Sequence, residues 1–137
     1  MNQDDFFEEI QRDTARRKAD PLPFALEALE DLFAHRGDVE GGFQRFQGKM
    51  EAFFWWADDA VQCLELVLAD PPDDLGRLVR EEAHVVVWVE ADGSERPADD
   101  AETVTWLREA VPRLRSMFDA YVAEQTAEQI RAREEPS

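Results

Sequence analysis

The side chains that most often do chemistry are scarce in this chain and poorly spaced for it. Serine occurs only at Ser94, Ser116 and Ser137, and histidine only at His35 and His84. No nucleophile-elbow pattern surrounds any of the serines. Cys63, the single cysteine, falls on an apolar row of a helical segment. A thiol there is a small core residue, and burial raises its pKa. Glu81-Glu82-Ala83-His84 contains one Glu-x-x-His. A di-iron bundle needs that pair on each of two helices plus two further carboxylates, and the second copy is absent. No calcium-loop spacing surrounds Asp58, Asp73 or Asp92. Gly41-Gly42 lacks the spacing and the basic residue of a phosphate-cradling loop. Adjacent acids recur at Asp58-Asp59, Asp73-Asp74, Glu81-Glu82 and Asp99-Asp100, but neighbours on a helix do not face each other and so make no acid–base pair. The expectation is a protein that is not an enzyme and that uses no cofactor and no metal.

Charge is the more informative property. The chain of 137 residues has a formal net charge of −17, which argues against nucleic-acid binding through a basic face. The excess is uneven: residues 51–100 carry 14 acids against 3 bases, whereas the other 87 carry 18 against 12. Lysine occurs only at positions 18 and 49 and isoleucine only at 10 and 130. That bias is also what a GC-rich genome or a high-salt cytoplasm produces, and net charge speaks to solubility and association rather than to fold.

At 44% hydrophobic, with nine Phe and four Trp, the chain can bury a core and fits one domain spanning 1–137. No run reaches the ~18 uninterrupted apolar residues of a membrane span. The richest piece, from Phe53 to Ala69, is broken by Asp58, Asp59, Gln62 and Glu65. The acidic start at Asp4 and Asp5 is unlike a signal peptide, and a lone cysteine forms no internal disulfide. These features lead to an expected cytoplasmic setting without membrane association.

Hydrophobic periodicity supplies the elements. A first helix lies within 1–19, with Phe6, Phe7 and Ile10 on one face and a basic patch at Arg12, Arg16, Arg17 and Lys18 near its end. Asp20 and Pro21 open a second helix whose Leu22, Leu26, Leu29 and Phe33 share one face. Gly37 is placed to stop it, with His35 in its last turn. A seam of Phe43, Phe46, Met50, Phe53, Ala57, Val61, Leu64 and Leu68 steps by three or four throughout, which predicts one central helix of about 26 residues. Pro71 and Pro72 end it. Asp73 or Asp74 starts a short helix to about Glu82, unless Leu75 to Arg80 is a strand. His84 to Glu90 is rich in β-branched and aromatic residues, and Asp92-Gly93 signals a hairpin returning through Ser94 to Arg96. Asp99 with Glu102 resembles a capping box for a last helix along Val104, Leu107, Val111, Leu114, Phe118 and Tyr121. Pro112 predicts a kink or a split in it. The fold expected is α+β and mainly α: a bundle of about four to five helices with one short β-hairpin near residues 84–97. Residues 1–5 and 132–137 are expected to be disordered.

Two tryptophans stand out against this frame. Trp55 falls on the polar face of the central helix with Glu51, Asp58, Gln62 and Glu65. It is either a binding anchor or covered by another helix. On the strand, Val85, Val87 and Val89 share one face, while His84, Val86, Trp88 and Glu90 share the other. If the valines meet the core, Trp88 is exposed; the reverse assignment stays open. Carboxylates that steer an encounter and aromatics that prolong it suit a basic protein partner. The candidate partner-binding residues are therefore Trp55, Asp58, Asp59, Asp73, Asp74, Glu81, Glu82, Trp88 and Glu90. The leading expectation is a module that masks a toxin, a nuclease or another nucleic-acid-binding protein, as an immunity-type inhibitor or a nucleic-acid mimic does. One alternative is a self-associating structural or regulatory protein, a homodimer formed through the 43–68 seam or the hairpin edge. Another is a small-ligand binder or enzyme with an unrecognised site.

Overall fold

The computed structural model describes residues 3–34 and 38–134, so the expectations for His35 and Gly37 lie outside the described residues. In chain order the elements are α1 (Gln3–Ala19), α2 (Pro21–Phe33), α3 (Val39–Ala52), α4 (Phe54–Ala69), α5 (Leu75–Glu81), β1 (Trp88–Ala91), β2 (Ser94–Pro97) and α6 (Asp100–Glu134). The two strands form one antiparallel hairpin. The fold is α+β and mainly α, with six helices among the described residues.

The sixth helix comes from a break in the predicted central helix. Phe53 (φ −140°, ψ 64°) ends α3 and begins α4. It loses no backbone bond in doing so: its N–H donates to the Lys49 carbonyl at 2.6 Å and its own carbonyl accepts from Ala57 N–H at 3.1 Å. A straight helix of 26 residues would extend about 39 Å, too long for both halves of its seam to reach one core. The bend lets α3 and α4 pack on each other, with Phe43, Phe46 and Met50 buried on one and Ala57, Val61 and Leu64 on the other. Phe53 is left outside the core, 60% exposed.

α4 is the hub, packing against α1, α2, α3 and α6. Aromatic pairs pin these contacts. Phe24 of α2 meets Trp56 of α4 edge-on at 6.1 Å. Phe33 joins Phe43 of α3 and Trp106 of α6 at 5.2 and 5.1 Å. Phe54 stacks on Phe118 of α6 at 5.2 Å. Gly42 makes room for the Phe33 cluster, because a Cβ there would lie 2.2 Å from the Phe33 ring.

α6 starts with the expected box: Glu102 N–H donates to Asp99 Oδ1 at 2.8 Å and Asp99 N–H to Glu102 Oε1 at 3.1 Å. It then runs through Pro112 as a single helix, contrary to the expected split. Pro112 lies on the exposed face, where water can take the Arg108 carbonyl that proline leaves without a donor. Helix extends further at both ends than the sequence suggests, to Gln3 and Glu134. Beyond Tyr121, α6 is almost wholly exposed and projects past the core.

Residues 75–81 are helical rather than a strand. Their packing on α6 depends on Gly76, where a Cβ would sit 2.2 Å from the Asp100 carbonyl oxygen. Gly76→Ala therefore sets helix propensity, a gain of about 1 kcal/mol, against overpacking on rigid backbone, a loss of about 1–3 kcal/mol. We expect the clash to win, and a urea unfolding midpoint below that of the wild-type protein checks it.

Candidate functional site

The segment leaving α5 builds the first candidate surface. Glu82 and Ala83 N–H both donate to the Leu78 carbonyl, at 2.8 and 3.1 Å, and His84 then takes the left-handed conformation (φ 58°) common at helix exits. The helical spacing of Glu81 and His84 is thereby lost. Among the described residues no three His, Cys, Asp or Glu side chains gather as a metal ion requires.

The ladder covers only Trp88–Ala91, a shorter strand than the sequence predicts. Residues 84–87 pair with no strand; Val85 N–H donates instead to the Val79 carbonyl at 3.1 Å. The valine face turns inward, with Val85 and Val87 buried and Val89 half-buried. Trp88 is consequently outside, 41% exposed, with Val86 and Glu90. In the hairpin register Trp88 faces Pro97 and Glu90 faces Glu95. Directly opposed residues share a face, so Trp88, Glu90, Glu95 and Pro97 form one exposed surface. Like charges directly opposite each other destabilise a hairpin, and neither glutamate has a hydrogen-bond or ion-pair partner among the described residues.

The hairpin is secured from its other side. Arg96 forks onto Glu102 of α6 at 2.7 and 3.0 Å, and Ala98 N–H donates to the Val87 carbonyl at 2.7 Å. The Arg96 guanidinium, and then the Asp99 N–H, hold the Glu102 carboxyl at about 2.

The second surface is the start of α4. Trp55 is 48% exposed, its ring edge-on to Phe54 at 5.4 Å, so no helix covers it. Asp58 is half-buried and accepts from Gln62 Nε2 at 2.7 Å. Asp59 departs from the sequence reading. Only 3% exposed, it accepts from Thr14 Oγ1 at 3.0 and 3.1 Å and from the Arg17 guanidinium at 2.7 Å. It anchors α1 to α4 and is not part of a partner-facing surface. Beside it the Cys63 thiol donates to the Arg17 carbonyl at 3.7 Å; burial and then the Asp59 charge push its pKa up.

The third group lies on α5 and the residues flanking it. Asp73, Asp74, Glu81 and Glu82 are exposed, but Arg77 pairs with both Asp74 and Glu81. Asp73 and Glu82 keep their charge unopposed among the described residues. The candidates do not converge on one site: neither strand packs on α4 or α5, so Trp55 and Trp88 belong to separate surfaces. Glu95 was not among the candidate partner-binding residues, although the Asp92-Gly93 turn fixes its position opposite Glu90. Nor was Trp106, which lies off the seam of α6.

No protein family matches the chain, and no curated protein sequence or solved structure shows significant similarity to it. Among the described residues no helix is long and apolar enough to cross a membrane.

Two measurements check these assignments. Asp59→Ala is expected to cost about 2 kcal/mol, less than the roughly 3–5 kcal/mol of breaking a fully buried pair, because Arg17 is 31% exposed. Amide exchange across 3–19 should rise with it. Glu102, held at about 2 instead of its usual 4.5, stabilises the fold fully above 4.5, and that contribution is lost as pH falls through about 2. The Tm difference between wild type and Glu102→Gln should thus be constant above the usual value and close progressively in acid.

Proposed function

We propose that this protein is an acidic binding module that masks a basic partner protein, and that within this class it is an immunity-type inhibitor of a toxin or nuclease. The observation that carries the reading is the outer face of the hairpin. Trp88 is held in water beside two carboxylates that oppose each other across the strands. In the free protein this arrangement costs stability. A cationic group between Glu90 and Glu95 would turn that repulsion into attraction, while Trp88 supplied the desolvated aromatic contact that dominates many interfaces. Asp73 and Glu82 add to the field that steers a basic partner inward. Such a partner occupies the acids in place of phosphates, which is how an acidic protein blocks a site built for nucleic acid.

The exposed pair Phe53 and Trp55 favours a second reading, self-association through the start of α4. In that case mass would fall on dilution, and Trp55→Ala would abolish the change.

The masking reading is tested by passing native-host lysate over the immobilised protein and eluting with salt. One basic protein retained in near-stoichiometric amount at about 0.15 M salt is the expected result. Trp88→Ala should weaken that complex by more than about 2 kcal/mol with little change in Tm. A mixture of basic proteins, released at low salt and equally from both variants, would show that the acidity serves only solvation.

A further inference from the structure

Three arginines of this chain are held in the same way, each between an aromatic ring and a carboxylate. Arg17 lies 4.0 Å from the centre of the Phe24 ring and pairs with Asp59. Arg113 lies 3.8 Å from that of Phe43 and forks onto Glu40 at 2.8 and 2.8 Å. Arg115 lies 5.7 Å from that of Phe118 and forks onto Glu65. Ring face and carboxylate together suit a guanidinium, which stacks on the one and bonds the other in its plane.

The same two groups recur in a cleft between the hairpin and α6. The cleft encloses about 320 Å³ and is lined by Val87, Val89, Glu102, Thr105, Trp106 and Glu109. It exists because the strands approach no helix backbone closely; the Arg96–Glu102 fork bridges the gap at one side. Trp106 is half-buried, braced edge-on by Phe33 at 5.1 Å. Glu109 stands one turn further along α6. It has no ion-pair or hydrogen-bond partner among the described residues, and no Lys or Arg lines the cleft. Glu102 is already occupied by Arg96.

Resting on the masking reading, we infer that this cleft seats an arginine side chain of the basic partner. The methylene stem lies along Val87 and Val89, and the guanidinium meets the Trp106 ring and pairs with Glu109. The contact is separate from Trp88, which faces the other side of the hairpin, so the partner engages both faces. A small basic metabolite has no counterpart for Trp88 and uses the cleft alone.

The probe is a fluorescein-labelled hexa-arginine peptide, titrated by anisotropy at about 0.15 M salt. Thr105 is exposed at the cleft and four residues before Glu109, so Thr105→Arg supplies an internal occupant and an i,i+4 pair. It should weaken peptide binding about tenfold or more. Ala127→Arg makes the same charge change on the projecting part of α6 and should cost less than about twofold. Glu109→Gln against Glu128→Gln repeats the comparison without adding bulk, should Thr105→Arg fail to fold. Equal losses within each pair would overturn the cleft and leave the masking reading standing, since diffuse charge attraction would account for them. No saturable binding to wild type below about 1 mM would also overturn the cleft. Failure of the masking reading itself shows separately, in the lysate experiment with Trp88→Ala.

Discussion

A helix whose buried face is too broad for one neighbour has to be covered from several sides, and α4 sets the rest of the structure by that requirement. Ala57, Ala60, Val61, Cys63, Leu64 and Val67 are all buried, and they fan over an arc of roughly 160° at about 100° per residue, while Trp55 and Leu66 on the opposite face stay exposed. One partner cannot cover them. α1, α2, α3 and α6 each take a side, and the order of the chain follows from how each reaches its place. α3 must turn back at Phe53 to lie against its own continuation. α1, the most polar of the four, needs something besides apolar area, and Asp59 provides it by gripping Thr14 and Arg17 from within the hub. A buried carboxylate is tolerable only when its oxygens are satisfied, and here three donor contacts satisfy them.

Self-repulsion is the second constraint. With 32 acids against 15 bases, every arginine placed between elements removes repulsion as well as adding a bond. Arg113 ties α6 to α3, Arg115 ties α6 to α4, Arg80 ties α5 to α6, and Arg96 ties β2 to α6. Exposed pairs of this kind contribute little singly. Their effect on the surface is larger than their effect on stability, because these bases are drawn to the seams between elements. What remains outward is acid in excess, with the exposed cations concentrated on α1 and along α6.

Much of this was legible in the residues and some was not, for reasons that differ by element. The stop at Pro71, the Asp92-Gly93 turn and the Asp99–Glu102 box are local patterns and read correctly, whereas the predicted seam of α2 shares only Leu29 and Phe33 with its buried face, which also takes in Phe24, Ala25, Ala28 and Leu32. The alternation at 84–90 left two faces open as the core side, and it is the burial of Val85 and Val87 in the structure that selects the valines. The bend at Phe53 was invisible because the seam keeps its steps of three and four across it; periodicity records which face is apolar, not whether the axis is straight. Asp59 was misplaced because the donors that bury it, Thr14 and Arg17, lie more than 40 positions away in sequence. Trp106 was missed for the same kind of reason. Its cleft exists only when Val87 and Val89 stand opposite it, and nothing local announces that the hairpin lies over α6.

The hairpin is where these two constraints meet. A two-stranded sheet is marginal by itself, and this one is anchored through Val85, Val87 and the Arg96–Glu102 fork while its backbone stays away from the helices. An element selected only for stability would not place Glu90 opposite Glu95, nor leave Trp88 outside when the inward face had room for an apolar side chain. Nor would a chain that seats three of its own arginines between ring and carboxylate leave Trp106 and Glu109 together without a base of its own. The hairpin thus has an uncompensated acid and an accessible tryptophan on each of its two sides. Both features are costs to the isolated protein, and both are relieved by the same thing, a cationic surface brought against it. That common remedy connects the excess charge of the chain to a location in the fold, and under the proposed masking function it makes the hairpin rather than the helical hub the surface that meets the partner.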